Sequence, residues 1–447
     1  MEKKAIIVGA GLVGSLWAVY LAKAGYKVVI YERRSDIRKA EIKAGKSINL
    51  ALSARGWKAL KGAGVDEQVK PIAIPMYGRI MHDLEGIQTH QAYGKDGQAI
   101  YSISRGDLNA KMMNIAEQEG KAVINYNHKC VDVDLNAGII HLEKEDTKEI
   151  VTDQADAVFA CDGAFSAVRY NGLQKLDRFD YLQDYVDDGY RELLLPANPD
   201  GSYKMDKNAL HIWPRGRFML IALANDDGSF TCTLFMPFEG ENSFEDLKTD
   251  EAVDKFFKAT FPDFYTMFPE LLDSWHGHPL SSMAIIRCFP WTKGRVALMG
   301  DAAHATVPFY GQGMNSGFED CSVMNDLMIK HKEDWPKVFE EYQALRKPDG
   351  DAVQDLSVHN YHVMRDFVGD PTFLLQKKIE KRFSDLYPDK WMPLYSQVSF
   401  SSIRYSEAWA TGMKQDKIMK QVMDRPDIKD VWDSKEIEVN ILNLIEA

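Results

Sequence analysis

The chain of 447 residues is short of cysteine, of metal-ligand spacings and of positive charge, and each shortage closes off a class of function. Its five cysteines, Cys130, Cys161, Cys232, Cys288 and Cys321, are scattered, with no CxxC pair and no histidine at zinc-site spacing, so no metal centre is expected. An odd, dispersed set reads as reduced thiols, and with them a cytoplasmic location. Lys and Arg number 54 against 66 Asp and Glu, a formal charge of −12. Nucleic-acid binding needs a basic face to neutralise phosphates, so that class is excluded, and a polyanionic substrate is not expected. No apolar run approaches the roughly 20 residues that span a bilayer. The C-terminal EIEVNILNLIEA is too short and acidic to anchor in one, and the start MEKK leads straight into a strand, so no signal or transit peptide is expected. Repeats, low-complexity tracts and linkers are lacking too, which points to interwoven subdomains.

What is present is a 45% apolar composition, ample for two or three interlocked cores. KAIIVG (4–9) reads as a buried strand, 11–25 as a helix and KVVIYE (27–32) as a second strand, which makes a βαβ start. A basic loop, RRSDIRKAEIKAGK, leads to SINLALSARGWKALKGAG, read as loop then helix, and to a strand-rich stretch from Gly78 to Ser104. A helix (107–119), a short strand (AVINYN) and a hairpin (VDVDLNAGIIHLEKED) precede the strand-to-helix junction DAVFACDGAFSAVR. Period-2 runs in HIWPRGRFMLIALAN and SFTCTLFMPF predict an antiparallel sheet that splits the nucleotide domain. The chain returns through GRVALMGDAAH to a helical last third.

GAGLVG places Gly9, Gly11 and Gly14 between a strand and a helix. The first glycine makes a tight turn, the second lets a pyrophosphate reach the backbone, and the third lets helix and strand pack. Glu32, eighteen residues after Gly14, stands where ribose hydroxyls would donate to it. The motif predicts FAD or NAD, the bland alternative being a structural glycine turn. GDAAH (Gly300 to His304) chooses between them, because a strand ending in Gly-Asp before a small-residue helix resembles the ribityl-binding segment of the flavoprotein aromatic hydroxylases. An ordinary Asp-capped helix is the plainer reading. The following PFYGQGMN would wrap the flavin ring, with glycines 311 and 313 admitting backbone amides. CDGAFSAVR resembles the Asp-Gly motif that the same hydroxylases use near flavin and nicotinamide, although Asp162 alone could be a helix cap. No second GxGxxG follows a strand, so NADPH would bind transiently, without a Rossmann domain of its own.

The strings YERR, SINLALSARG, YSISRGDLN, HIWPRG, TLFMPF, GDAAHATVPFYGQGMNSGFED and SFSSIRY resemble the kynurenine 3-monooxygenases more than other phenol hydroxylases, from the first strand to about residue 410. The resemblance implies an α/β fold in which a Rossmann-type FAD-binding domain is interwoven with an antiparallel-sheet substrate domain and a helical C-terminal region. Its boundaries would be FAD-binding parts at 1–75, 106–180 (with the Asp-Gly motif) and 291–350 (with GDAAH), substrate-domain strands at 76–105, an antiparallel sheet at 181–290, and helices at 351–447. It implies non-covalent FAD held by Gly9, Gly11, Val13, Gly14, Tyr31, Glu32, Arg33, Arg34, Ala51, Arg105, Asp162, Asp301, Gly313, Met314 and Asn315. Substrate contacts would be Arg79, Tyr93, Asn360 and Tyr405, with Phe235 and Phe309, and also Met219, Ile221 and Pro308, around the aromatic ring. The chemistry suits those residue types: arginine pairs in two bonds with an amino-acid carboxylate, and tyrosine and asparagine satisfy the rest. Taken singly, each has a bland reading as a surface charge, a core-edge ring or a helix-surface amide.

The implied reaction joins O2 and NADPH to hydroxylation of L-kynurenine, a small aromatic amino acid, at the ring position ortho to its amino group through a flavin C4a-hydroperoxide. No protein group is expected to be the catalyst, and His304 is read as structural. Alternatives are a sibling hydroxylase of another aromatic amino acid or carboxylate, a flavin reductase of the isoprenoid-saturating type, and a non-catalytic binding module of the same fold. NYHVMR departs from the family, with Val363 where a glutamate is usual, and Gln397 stands where methionine is usual. Helical spacing predicts that Val363 borders the pocket lined by Asn360. The sequence does not settle the oligomeric state.

Overall fold

A computed structural model describes residues 2–39, 49–94, 97–364 and 370–446. The βαβ start forms as its apolar runs dictate: strands Lys4–Val8 and Lys27–Tyr31 pair in parallel around the helix Leu12–Lys23. They centre a six-stranded sheet whose order runs Thr292–Lys293, Val296–Leu298, Ala157–Ala160, Lys4–Val8, Lys27–Tyr31, Val123–Asn125. All its neighbours pair in parallel except the first two. The four inner strands, from Val296–Leu298 to Lys27–Tyr31, are covered on both faces and are near-continuous apolar runs rather than alternating ones. A three-stranded meander of His128–Asp134, Ile139–Lys144 and Ile150–Gln154 leads back into the sheet.

The second sheet has seven strands, in the order Leu280–Phe289, Asp180–Leu195, Phe230–Pro237, Met219–Ala224, Ala209–Pro214, Gly78–His82, Gln88–Ala92. It is antiparallel apart from the pair Ala209–Pro214 and Gly78–His82. Alternation gives it two different faces. Leu220, Ala222, Ala224, Phe230, Cys232, Leu234 and Met236 point away from the nucleotide domain into a core shared with the helices between Asp250 and Gly277. Their neighbours Met219, Ile221, Leu223, Thr231, Thr233 and Phe235 turn to the other side and line a cavity.

Residues 49–52 form a strand, Asn49–Leu52, where a loop was expected, because the strand Ile100–Ser104 supplies a partner that local sequence does not reveal. The part of the basic loop at 40–46 and the string's first residues lie outside the described residues. The C-terminal third is helical, with Trp335–His362, Pro371–Leu386, Tyr405–Met423 and Lys435–Glu446 burying their own apolar faces. Among the described residues no helix is long and apolar enough to cross a membrane.

The glycine loop is closed by steric contact. A Cβ on Gly14 would sit 2.1 Å from the Gly9 carbonyl oxygen, whereas one on Gly11 would meet nothing nearer than 4.0 Å. Gly14→Ala should therefore destabilise the ligand-free chain by about 1–3 kcal/mol or more. Gly11→Ala should leave it within about 0.5 kcal/mol of the parent. Urea unfolding of the two variants checks this, and equal midpoints would contradict the assignment of packing to one glycine and open approach to the other.

Candidate functional site

At one end of the cavity stands the glycine loop. Gly9 has φ of +103°, and the helix Leu12–Lys23 starts at Gly11 without a side-chain cap, which leaves first-turn N–H groups and the positive end of its dipole facing the cavity. Glu32 ends the second strand, where one carboxylate oxygen accepts the Ala10 N–H at 3.0 Å and the other accepts the Arg34 N–H at 3.0 Å. Arg33, Arg34, Arg105 and Lys129 are also among the lining residues, with Arg34 paired to Glu32, and the helix dipole makes the space at the glycine loop favourable for an anion. Across from them Asp162 accepts the Ala167 N–H at 2.7 Å and the Val168 N–H at 3.2 Å through one oxygen, which is a capping role. Its other oxygen is buried without a partner, and burial pushes its pKa up against the pull of those bonds.

The middle of the cavity is set by GDAAH. Gly300 takes φ of +58° and presents Asp301 at the wall. The turn is held by Asp320, whose fully buried carboxylate accepts the Gly300 N–H at 2.8 Å, lies 2.7 Å from His304 Nε2, and accepts Arg346 Nε–H at 2.7 Å. Burial alone would push the Asp320 carboxyl up, but His304 and Arg346 override it and hold it at about 2. Arg346 also donates to Glu319, which accepts Arg55, and to Asp349, which accepts Arg404 and Ser406. His304 is thus taken up by a structural ion network. Asn315 joins Ala51, Ser53 and Gly311 by hydrogen bonds of 2.8–2.9 Å, so the loops on either side keep a fixed separation.

The far end lies against the seven-stranded sheet, and the whole cavity encloses about 900 Å³. Arg79 on the strand Gly78–His82 reaches it with its guanidinium over the rings of Tyr93 and Tyr395, at 5.3 and 5.1 Å. No ion pair among the described residues involves Arg79, and its Nε–H and the Tyr93 hydroxyl are buried without partners. Desolvation opposes its charge, yet the two tyrosines keep its pKa raised. Around it Met219, Ile221, Leu223, Phe235 and Phe309 make an apolar wall, with Phe235 and Phe309 rings 4.9 Å apart.

Most of the residues singled out in the sequence meet here: Gly9, Gly11, Val13, Tyr31, Glu32, Arg33, Arg34, Ala51, Arg79, Tyr93, Arg105, Asp162, Phe235, Asp301, Phe309, Gly313 and Met314 all line the one cavity. Gly14 and Asn315 lie behind its wall, as packing and loop-bridging residues. Asn360 and Tyr405 do not reach it. Asn360 donates to the Phe309 carbonyl at 2.6 Å, and the fully buried Tyr405 donates to Gln312 Oε1 at 2.9 Å beneath the guanidinium of Arg55. Nor do Val363 and Gln397 line it: Val363 keeps helical dihedrals at the end of the long helix, and it is Met364, whose sulfur lies 3.3 Å from the Asn360 amide, that reaches the wall, while Gln397 donates to the Met392 carbonyl. The tyrosine that sequence reading missed is Tyr395. Its signal was present in the apolar-aromatic string PLYSQVSF, ten residues before the one chosen.

The model of an FAD binding domain family matches residues 2–357. Curated relatives named kynurenine 3-monooxygenase include those of Flavobacterium johnsoniae, 50% identical over 99% of both chains, and Christiangramia forsetii, 49% identical over all of this chain and 99% of the other. That of Sus scrofa is 43% identical over 93% of this chain and 88% of its own. Among solved structures, the tetrameric form of 2-methyl-3-hydroxypyridine-5-carboxylic acid oxygenase superposes with a TM-score of 0.66 at 19% identity, over 83% of this chain and 94% of the other, a likeness of fold.

The Asp320 network yields a stability test. Asp320→Asn should cost about 3–5 kcal/mol, because it leaves the buried Arg346 guanidinium short of its carboxylate partner. A carboxyl whose folded pKa is depressed stabilises above its unfolded pKa and loses that contribution as pH falls through the folded one. The gap between parent and variant in urea unfolding should therefore be full above about pH 4 and shrink toward pH 2. A gap that is absent at pH 7 would remove the network from the stability of the site.

Proposed function

The chain belongs to the kynurenine 3-monooxygenase family of FAD-binding-domain proteins, and from that membership we propose that it converts L-kynurenine, NADPH, a proton and O2 into 3-hydroxy-L-kynurenine, NADP+ and water. The observation that carries the substrate reading is Arg79: a half-buried guanidinium without a carboxylate partner among the described residues, its Nε–H buried and unpaired, placed at the far end of a cavity whose near end is a dinucleotide loop. A guanidinium partly withdrawn from water with no carboxylate beside it calls for an anionic partner. The carboxylate of an amino acid is the partner that fits it, and the apolar wall beside it suits an aniline ring.

The residues present fit FAD. The space kept open at Gly11, the free amides of the first helical turn and the unpartnered Asp162 oxygen are what a pyrophosphate and a polar cofactor chain require. Gly9, Gly11 and Val13 would hold the pyrophosphate, Glu32 the adenosine ribose, Asp301 the ribityl chain, and Gly313 and Met314 the ring edge. When bound and reduced, the flavin supplies the activation of O2 and the oxygen atom that is transferred. Arg79, with Tyr93 and Tyr395 around it, binds the substrate carboxylate and so sets how far the ring enters. Met219, Ile221, Phe235 and Phe309 orient the ring and exclude the water that would divert the oxygen into hydrogen peroxide.

Kynurenine should stimulate NADPH oxidation, with hydroxylated product exceeding peroxide; stimulation without product would defeat the hydroxylase reading. Arg79→Ala should raise the kynurenine KM by the loss of a charge-assisted contact of roughly 1.5–3 kcal/mol, with FAD content unchanged. Lysine should restore only part of it, lacking the planar fork. A KM equal to the parent's would show that the carboxylate binds elsewhere. Glu32→Ala should weaken FAD retention about tenfold or more, read as the FAD dissociation constant of the deflavinated chain, and an unchanged constant would take Glu32 out of the cofactor site.

A further inference from the structure

The rings of Tyr93, Tyr395 and Tyr310 form one column: Tyr93 and Tyr395 stack at 5.1 Å and 12°, Tyr395 and Tyr310 at 5.6 Å and 18°. Arg79 lies over the first two, and Tyr310 is the third. Its backbone is fixed by the turn Pro308–Tyr310, by Gly311 at φ of +65° and by Gln312, which donates to its carbonyl at 3.3 Å. Its ring packs in a cluster with Val353, Leu356 and Val398 and is 6% exposed, yet it lines the cavity. Burial pushes the phenol's pKa far up, so near neutral pH the hydroxyl keeps its proton and is a donor. That hydroxyl has no hydrogen-bond partner among the described residues. Phenylalanine would fill the same space, so the hydroxyl is what tyrosine adds at this wall: a donor at the cavity with no protein acceptor taken among the described residues.

We propose that Tyr310 is a specificity-determining residue whose hydroxyl donates a hydrogen bond to the same substrate carboxylate that Arg79 pairs with. The inference rests on the kynurenine reading and deepens it: the carboxylate end of the pocket is a cation faced by a column of three phenols, which favours a full amino acid over a ketone that lacks the acid. The bond adds to ground-state binding, so it acts on affinity rather than on the oxygen transfer.

The test compares parent and Tyr310→Phe, both loaded with FAD, by titration with L-kynurenine and with its decarboxylated analogue. The dissociation constant is read from the flavin absorbance change and, independently of flavin content, by calorimetry. The variant should bind kynurenine about tenfold more weakly, the worth of a hydrogen bond to a charged acceptor, and the analogue within about twofold of the parent. A variant that binds kynurenine as tightly as the parent overturns the inference, as does equal weakening of both compounds, which would mark a packing role. A parent that binds the two compounds alike sinks the substrate reading and the inference together. A parent that discriminates and a variant that discriminates equally sink the inference alone.

Discussion

The cavity keeps its shape because one carboxylate is sealed away from water. Asp320 is 0% exposed and meets donors from three segments: the Gly300 N–H, the His304 ring and the Arg346 guanidinium. A charge in a dry interior is stable only when every oxygen is paired, so these three segments cannot drift independently. Gly300 is thereby held in a left-handed conformation that delivers Asp301 to the wall. Arg346 carries the constraint outward, through Glu319 to Arg55 and through Asp349 to Arg404, until the helix Gly313–Lys330, the helix Trp335–His362 and the start of Tyr405–Met423 are one charged lattice. Apolar packing could have held these helices at lower desolvation cost. What the ions add is directional fixation of a turn that must stay open to a ligand.

Against that rigid centre the second sheet supplies chemistry by alternation alone. Along Met219–Ala224 and Phe230–Pro237, odd residues face the cavity and even residues face a separate core with the helices at 250–277. A one-residue slip would put Leu234 and Cys232 at the cavity wall and bury Thr233 in oil, so register is specified from both sides. The strand Gly78–His82 shares the rule, which is why Arg79 emerges on the cavity face while His82 turns to the other and pairs with Asp263. The guanidinium is left among phenols, groups that support a cation without neutralising it.

The parts legible in the sequence were those whose cause is local. The βαβ start needs only two apolar runs, three glycines and an acidic residue, and GDAAH needs only a strand, a turn and small residues. The strand Asp180–Leu195 was not legible, since its first half carries Asp180, Asp184 and exposed Tyr181, Leu182 and Tyr185 and is a strand because Leu280–Phe289 pairs with it. The same limit explains the tyrosines. Tyr395 and Tyr405 stand in similar surroundings on neighbouring helical segments, and only the fold shows that the first stacks on Tyr93 and the second lies under Arg55. Residue type alone does not tell the two apart, and what each contacts is set across the fold.

Asn360 and Tyr405 show what such residues do when they stand one layer back. The segment from Phe309 to Gly313 must place backbone and rings at the cavity, and it does so with a left-handed glycine and few bonds of its own. Its carbonyls and amides need partners that do not compete for the ligand. Asn360, from the long helix, takes the Phe309 carbonyl, and Tyr405, from the helix Tyr405–Met423, takes Gln312, whose own amide returns to the Tyr310 carbonyl. Through these two side chains the helical C-terminal region therefore bears on the cavity by fixing a loop rather than by lining it. The polar residues near residues 360 and 405 follow from that task, because a loop beside a ligand site can be held still only by hydrogen bonds that reach it from behind.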